Sequence, residues 1–268
     1  MKNKKRIYII AIILSVFILI CGTLVGIFVI KYEKRQTQQI SELIGQVDYL
    51  RAKLEQTTEY YNYETEYSND SYNYFAIGNS LTLINSWGRG ICSTQPNNDY
   101  FNLIIRELEN CYGSVVAYPV NFSQWERYSN NRDSTLDLLD NYLCDKLDLV
   151  TIQLGENVSD TTTYKKDLIS LVDYVKEKAP NAKIVIVGDW WSVEKNEIRK
   201  SVANETKCLF ADLSIIINNT EYQSKTGTIC YLSDGTTINV SERASTHPGD
   251  KGMIYIADRI IETLKLNE

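Results

Sequence analysis

The sequence predicts a three-layer α/β/α domain built on a mainly parallel sheet, preceded by a membrane-spanning helix and a short helical stalk. Three observations predict it. From Tyr74 onward, segments of strand and helix character alternate. Two of the strand segments, Leu147–Leu154 and Lys183–Val187, are almost continuously apolar, as strands covered on both faces must be. Upstream of them lies a run of 24 residues without a charge, Ile7–Ile30.

Taken in order, residues 1–6 are a basic tail with Lys2, Lys4, Lys5 and Arg6. As a helix, Ile7–Ile30 would span roughly 36 Å, enough to cross a hydrocarbon core of about 30 Å. It is too long for the apolar region of a cleaved signal peptide, and no A-x-A pattern follows it. Ile20 before Cys21 is a poor lipoprotein site, where a small residue is wanted. The run therefore reads as an uncleaved signal anchor. The tail outweighs Lys31, Lys34 and Arg35, which Glu33 partly offsets, so the N-terminus is expected in the cytoplasm and the body outside the cell membrane.

Residues 31–57 form the stalk. Ile40, Leu43, Val47, Leu50 and Leu54 recur at alternating spacings of 3 and 4, a heptad seam over 36–57. It fits a homodimerising coiled coil, or a helical spacer that packs on nothing. Residues 58–73 are polar, rich in Tyr, Asn and Glu and aperiodic, and read as a linker.

The domain proper is expected over 74–268. Its strands are Tyr74–Gly78, Ser114–Tyr118, Leu147–Leu154, Lys183–Val187 and Cys208–Leu213. Its helices are Asp99–Cys111, Thr163–Lys178, Val193–Ala203 and Gly252–Leu264, with Trp125–Leu143 mostly helical. A composition of 44% hydrophobic and 23% charged residues excludes a wholly disordered chain. The net charge is -6, and the basic N-terminal end leaves the body more acidic still, which argues against nucleic acid as a partner. The six cysteines show no CxxC spacing, and His247 is the only histidine. Neither a disulfide framework nor a metal site is indicated, no cofactor is expected, and the thiols read as scattered buried groups.

In open parallel sheets, ligands gather beyond the C-terminal ends of the strands. Three polar signatures lie there in order: Gly78-Asn79-Ser80, Gly155-Glu156-Asn157 and Thr246-His247-Pro248. Each alone is weak, since a G-N-S after a strand is often only a turn and a lone histidine is often structural. Together they resemble the blocks of the SGNH (GDSL-type) hydrolase superfamily of esterases and acetylesterases, over about residues 74–268. Asn79 stands where the commoner residue is Asp. The segments Trp87–Tyr100, Asn121–Glu126 and Gly188–Trp191 add a vaguer likeness to bacterial carbohydrate esterases.

The resemblance implies a flavodoxin-like, SGNH-hydrolase fold. It implies Ser80 as nucleophile and His247 as base, with the Ser80 N–H and the Asn157 side-chain amide as oxyanion donors. The second family block should add a glycine N–H, but Pro119–Ser123 has no glycine, leaving Asn121 and Ser123 as candidates. The family's acid should lie three residues before the histidine, where Ala244 stands. Glu242 and Asp234 are alternative acids. A Ser-His dyad oriented by a backbone carbonyl is preferred to either, because a carbonyl can accept the imidazole N–H. Asn79, Gly155, Glu156, Trp190 and Trp191 are expected to line the substrate site. Either tryptophan could be a sugar platform or core, and Asp189 could line the site or cap the next helix.

The expected function is a membrane-anchored extracellular serine esterase that removes O-acyl groups, acetyl foremost, from a glycan. A lipase- or thioesterase-like hydrolase and an O-acyltransferase use the same acyl-enzyme. A non-catalytic glycan-binding scaffold is the alternative of another class.

Overall fold

The computed structural model describes residues 2–57, 65–84 and 86–266, except the side chains of 2–15, 18 and 52–57. Five parallel strands form the central sheet: β1 (Tyr72–Gly78), β2 (Val115–Asn121), β3 (Leu149–Gln153), β4 (Lys183–Val187) and β5 (Leu209–Ala211). Their order is β2-β1-β3-β4-β5. The chain steps from β1 to β2 on one side, then crosses to β3 on the other. The strand direction of progress thus reverses at β1, and the crevice that such a reversal opens lies at the C-terminal ends of β1 and β3.

Strand alternation sorts the core into two layers. Phe75, Ile77, Val150, Ile152, Ile184 and Ile186 pack under α4 (Tyr164–Lys178) and α5 (Val193–Thr206). Tyr74, Ala76, Leu149, Val185 and Val187 pack under α2 (Tyr100–Tyr112) and α6 (Asp250–Leu264). The three-layer arrangement expected from the apolar strands is the one observed.

Three local expectations are corrected. Trp125–Leu143 is not mostly one helix but a short α3 (Ser123–Arg127), a turn, and a 3-10 helix over Arg132–Leu139. The buried Arg132 guanidinium takes the carbonyls of Trp125 and Glu126 at 3.1 Å each, acceptors that a continuous helix would have used for itself. A hairpin of β6 (Ile229–Tyr231) and β7 (Thr237–Asn239) was not anticipated, although Asp234-Gly235 is a hairpin turn signal. The domain also begins before Tyr74. Tyr67 is buried against Tyr118 and Asn73 is buried on Ser68 and Lys146, so the later part of the expected linker belongs to the fold. Residues 58–64 of that linker lie outside the described residues.

Upstream, α1 runs unbroken over Lys2–Thr57. Among the described residues no helix is long and apolar enough to cross a membrane; within Ile7–Ile30 the side chains of residues 7–15 and 18 are not described. Nor does the stalk pack on nothing. Its polar face docks on α3 and the turn behind it, with Gly45 against the Tyr128 backbone and the Tyr49 ring 6.0 Å from that of Tyr128. Ile40, Leu43, Val47 and Leu50 point outward and are exposed, joined by Ile44. The cysteines are only partly buried as a set: Cys92 and Cys230 are enclosed, whereas Cys21 and Cys111 are exposed.

Candidate active site

The loop after β1 carries Asn79 and Ser80. Gly78 is needed for space: a Cβ there would fall 1.7 Å from Thr82 Oγ1, whose chain folds back over the strand end. Asn79 is buried. Its carbonyl accepts from Thr82 and Leu83, and its side-chain oxygen accepts from the Leu81 N–H at 3.1 Å. These bonds close the turn and bring Ser80 to the rim. Among the described residues, neither the Ser80 hydroxyl nor its backbone N–H has a protein hydrogen-bond partner.

The loop after β3 carries Gly155, Glu156 and Asn157. Gly155 has φ +137, and a Cβ there would meet the Tyr164 hydroxyl at 2.2 Å. Only glycine satisfies both the conformation and the space. The Glu156 carboxylate turns inward, accepting from Asn79 Nδ2 at 2.6 Å, Gln153 Nε2 at 2.8 Å and Arg199 Nη2 at 3.0 Å. Burial works to raise its pKa, but the Arg199 guanidinium and these donors prevail and hold it low.

Glu126, on α3 after β2, has no role in the sequence reading, yet it joins the loops of the candidate site. Its Oε1 accepts from Gly155 N at 2.5 Å, Asn79 Nδ2 at 3.1 Å and Asn157 N at 3.2 Å, and its Oε2 from Asn157 Nδ2 at 2.6 Å. One carboxylate thus fastens two loops to a third. Burial, followed by the charge of Glu156, pushes its pKa up, while the Asn157 amide, the Gly155 N–H and the Asn79 amide pull it back only in part. The Asn157 amide keeps a second N–H beyond the one spent on Glu126.

Arg199 is the buried counter-charge. It binds Glu156, Asp189 Oδ2 at 3.0 Å, the Tyr164 hydroxyl and the carbonyls of Val187 and Gly188. Asp189 spends its other oxygen on the Trp191 and Ser192 N–H groups, both at 2.7 Å, so it serves the start of α5. The signal for Arg199 was present on α5: Asn196, Arg199 and Ala203 share its inward face, with polar groups where apolar ones are expected. Lys195 closes the network by donating to the carbonyls of Gly155 and Glu156.

His247 ends a tight turn closed by its own N–H on the Ala244 carbonyl at 2.9 Å. Its Nδ1 stands 3.1 Å from the same carbonyl, which sets Nδ1 as the donor and leaves Nε2 as the basic nitrogen. Burial lowers its pKa, against the Ala244 bond and Glu156, which raise it. The turn points Glu242 outward, and its carboxylate makes no hydrogen bond to His247. Asp234 is likewise corrected as an acid partner: it caps Thr236 in the exposed β6–β7 turn.

Asn121 spends its side chain locally, donating to the Leu83 carbonyl at 2.7 Å and accepting from Ser123 N at 3.1 Å. The Ser123 N–H, one of the two candidate backbone donors, is thus spent within the chain. Trp190 is buried with its ring 5.2 Å from that of His247, whereas Trp191 is 43% exposed. The Trp190 indole N–H has no partner among the described residues. No group of three or more His, Cys, Asp and Glu among the described residues could hold a metal ion.

The Ser80 and His247 loops are tied by one dipeptide. Ile91 N donates to the Ser80 carbonyl at 2.9 Å, and Cys92 Sγ donates to the Ala244 carbonyl at 3.2 Å.

No protein-family model matches the sequence, and no curated protein matches it. Among solved structures, the chain is similar to a catalytic mutant of an acetylxylan esterase from Geobacillus stearothermophilus, at 14% identity and TM-score 0.48, covering 72% of this chain and 94% of that one. It is similar to phospholipase A1 from Streptomyces albidoflavus, at 14% identity and TM-score 0.49, covering 72% and 99%. A third is an α/β hydrolase enzyme from the metagenome of Lake Arreo, at 13% identity and TM-score 0.45, covering 74% and 96%.

Proposed function

We propose that this chain is an SGNH-type serine esterase that cleaves O-acyl esters, acetyl foremost, from a glycan, using a Ser80–His247 dyad. The observation that carries the reading is the pairing of His247 Nδ1 with the Ala244 carbonyl, which does what an acid would otherwise do. It selects the tautomer whose Nε2 can take a proton, and burial keeps that nitrogen neutral near pH 7.

In the reaction, Ser80 Oγ adds to the ester carbonyl carbon while its proton passes to His247 Nε2. The oxyanion is held by the Ser80 N–H and the unspent Asn157 N–H. Collapse breaks the ester C–O bond, and the leaving alkoxide takes the proton from His247. Water then repeats the sequence on the acyl-enzyme, releasing the carboxylic acid and restoring Ser80. The exposed Trp191 beside Trp190 supports a sugar-ring platform. In this reading, Ile7–Ile30 anchors the protein with the domain outside the cell, and the outward seam on α1 joins two copies.

The test uses the full chain in detergent with 4-nitrophenyl acetate, acetylated xylo-oligosaccharide and a serine-directed organophosphonate. Hydrolysis and labelling at Ser80 are expected, both lost in Ser80→Ala. Undiminished hydrolysis by Ser80→Ala would refute the mechanism. Binding of glycan without hydrolysis of any ester would favour a scaffold.

A further inference from the structure

The stalk helix touches both loops that hold the oxyanion side of the site. Gln38 Nε2 donates to Asp160 Oδ2 at 2.9 Å, three residues beyond Asn157. Glu42 Oε2 accepts from Ser129 Oγ at 2.7 Å and from Asn130 N at 3.4 Å, just beyond α3. Asp48 Oδ2 pairs with Arg127 Nη1 at 3.1 Å, and that nitrogen also donates to Ser123 Oγ. The other arm of the guanidinium, Nη2, reaches Asn157 Oδ1 at 3.5 Å.

The Asn157 amide is therefore held at both ends. Glu126 accepts from its nitrogen, and Arg127 donates to its oxygen. This combination fixes which way the amide faces, because a flipped amide would set an oxygen against a carboxylate and an NH2 against a guanidinium. The remaining N–H is the one that the proposed mechanism uses. The Arg127 side chain is itself partly exposed, and Asp48 is the carboxylate that pairs with it.

We propose that Asp48 on α1 is a positioning residue for the esterase site, acting through Arg127 on the orientation of the Asn157 amide, so that the stalk segment 38–49 is a working part of the catalytic unit. This rests on the esterase reading for its effect on turnover, but its structural content stands apart from it. Deleting an oxyanion donor outright costs about a hundred- to thousand-fold in rate. Loosening one that Glu126 still holds is expected to cost about tenfold in kcat, with little change in KM because the donor is used in the transition state.

The experiment compares the full chain in detergent with Asp48→Ala, Asp48→Glu and Gly45→Leu. A side chain at 45 undocks the helix, since its Cβ would lie 2.6 Å from the Tyr128 backbone nitrogen. Two readouts are taken: kcat and KM on 4-nitrophenyl acetate, and amide hydrogen exchange over 123–130 and 155–160. Asp48→Ala and Gly45→Leu are expected to lower kcat and speed exchange in both segments, leaving β1, β3 and β4 protected. Asp48→Glu is expected to restore most of the rate. Unchanged kcat and exchange would overturn the proposal. So would a loss that Asp48→Glu does not restore, accompanied by faster exchange throughout the sheet, which would mark a general stabilising contact. If the parent protein hydrolyses no ester, the esterase reading fails alone, and exchange over 155–160 decides the positioning role: faster upholds it, unchanged overturns it.

Discussion

Asn79 donates a side-chain N–H to the Glu156 carboxylate at 2.6 Å, and it gives its other N–H to Glu126 at 3.1 Å. The asparagine is the neutral link between two buried carboxylates. This explains why Asn stands where the SGNH resemblance leads one to expect Asp.

Asn79→Asp should therefore be destabilising although it restores the commoner residue. It would replace two donors with a further acidic group beside Glu126 and Glu156, in a site where Arg199 already serves Glu156 and Asp189. A loss of about 3 kcal/mol is expected at pH 7. The introduced carboxyl would have a folded-state pKa above its unfolded value. The loss should thus be full at neutral pH and shrink as the medium is acidified toward the unfolded aspartate value. Urea unfolding at pH 7 and pH 5 measures both; an equal loss at the two values would contradict the charge argument.

Glu242→Gln should leave kcat within about twofold, because the Ala244 carbonyl holds His247 and the Glu242 carboxylate does not. His247→Ala should lower kcat by several orders of magnitude. Steady-state rates on an acetyl ester separate the two. A thousand-fold loss in Glu242→Gln would restore a carboxylate to the role.

The acid limb of kcat/KM should lie below pH 6.5, the ordinary histidine value. The base works only when neutral, and burial favours the neutral form, so the enzyme stays active to lower pH. Trp190 covers the imidazole at 5.2 Å between ring centres. Trp190→Ala should let water in and move the limb upward, toward 6.5. A limb already above 6.5 in the parent would show that burial is not what sets this histidine.

The seam on α1 should pair two chains. Ile40 and Val47 alternate with Leu43 and Leu50, all exposed, while the opposite face is committed to the domain. Branched residues at one seam position and leucine at the other favour two parallel strands. Light scattering in detergent should give a dimer for the parent and a monomer for Leu43→Asp. A monomeric parent would leave the seam with another use.

The sequence by itself determined the parallel sheet, because strand burial and helix faces are local periodicities that one segment displays alone. It also placed Ser80 and Asn157 just past strand ends and His247 just before the last helix, since a polar signature beside an apolar element is a short-range pattern. What joins these residues was decided only by the tertiary structure. Glu126 meets Asn79 across 47 positions of chain, and Arg199 meets Glu156 across 43, so no window on the sequence contains either pair. The accepting group for His247 is a backbone carbonyl, the kind of partner preferred from the sequence, but which carbonyl it is leaves no letter there: it is that of Ala244. The docking of α1 was hidden for a related reason. Its heptad seam is the loud signal, but the contacts that bind it to the site are made by the quiet face, through Gln38, Glu42, Gly45 and Asp48, whose partners lie some 80 or more positions away.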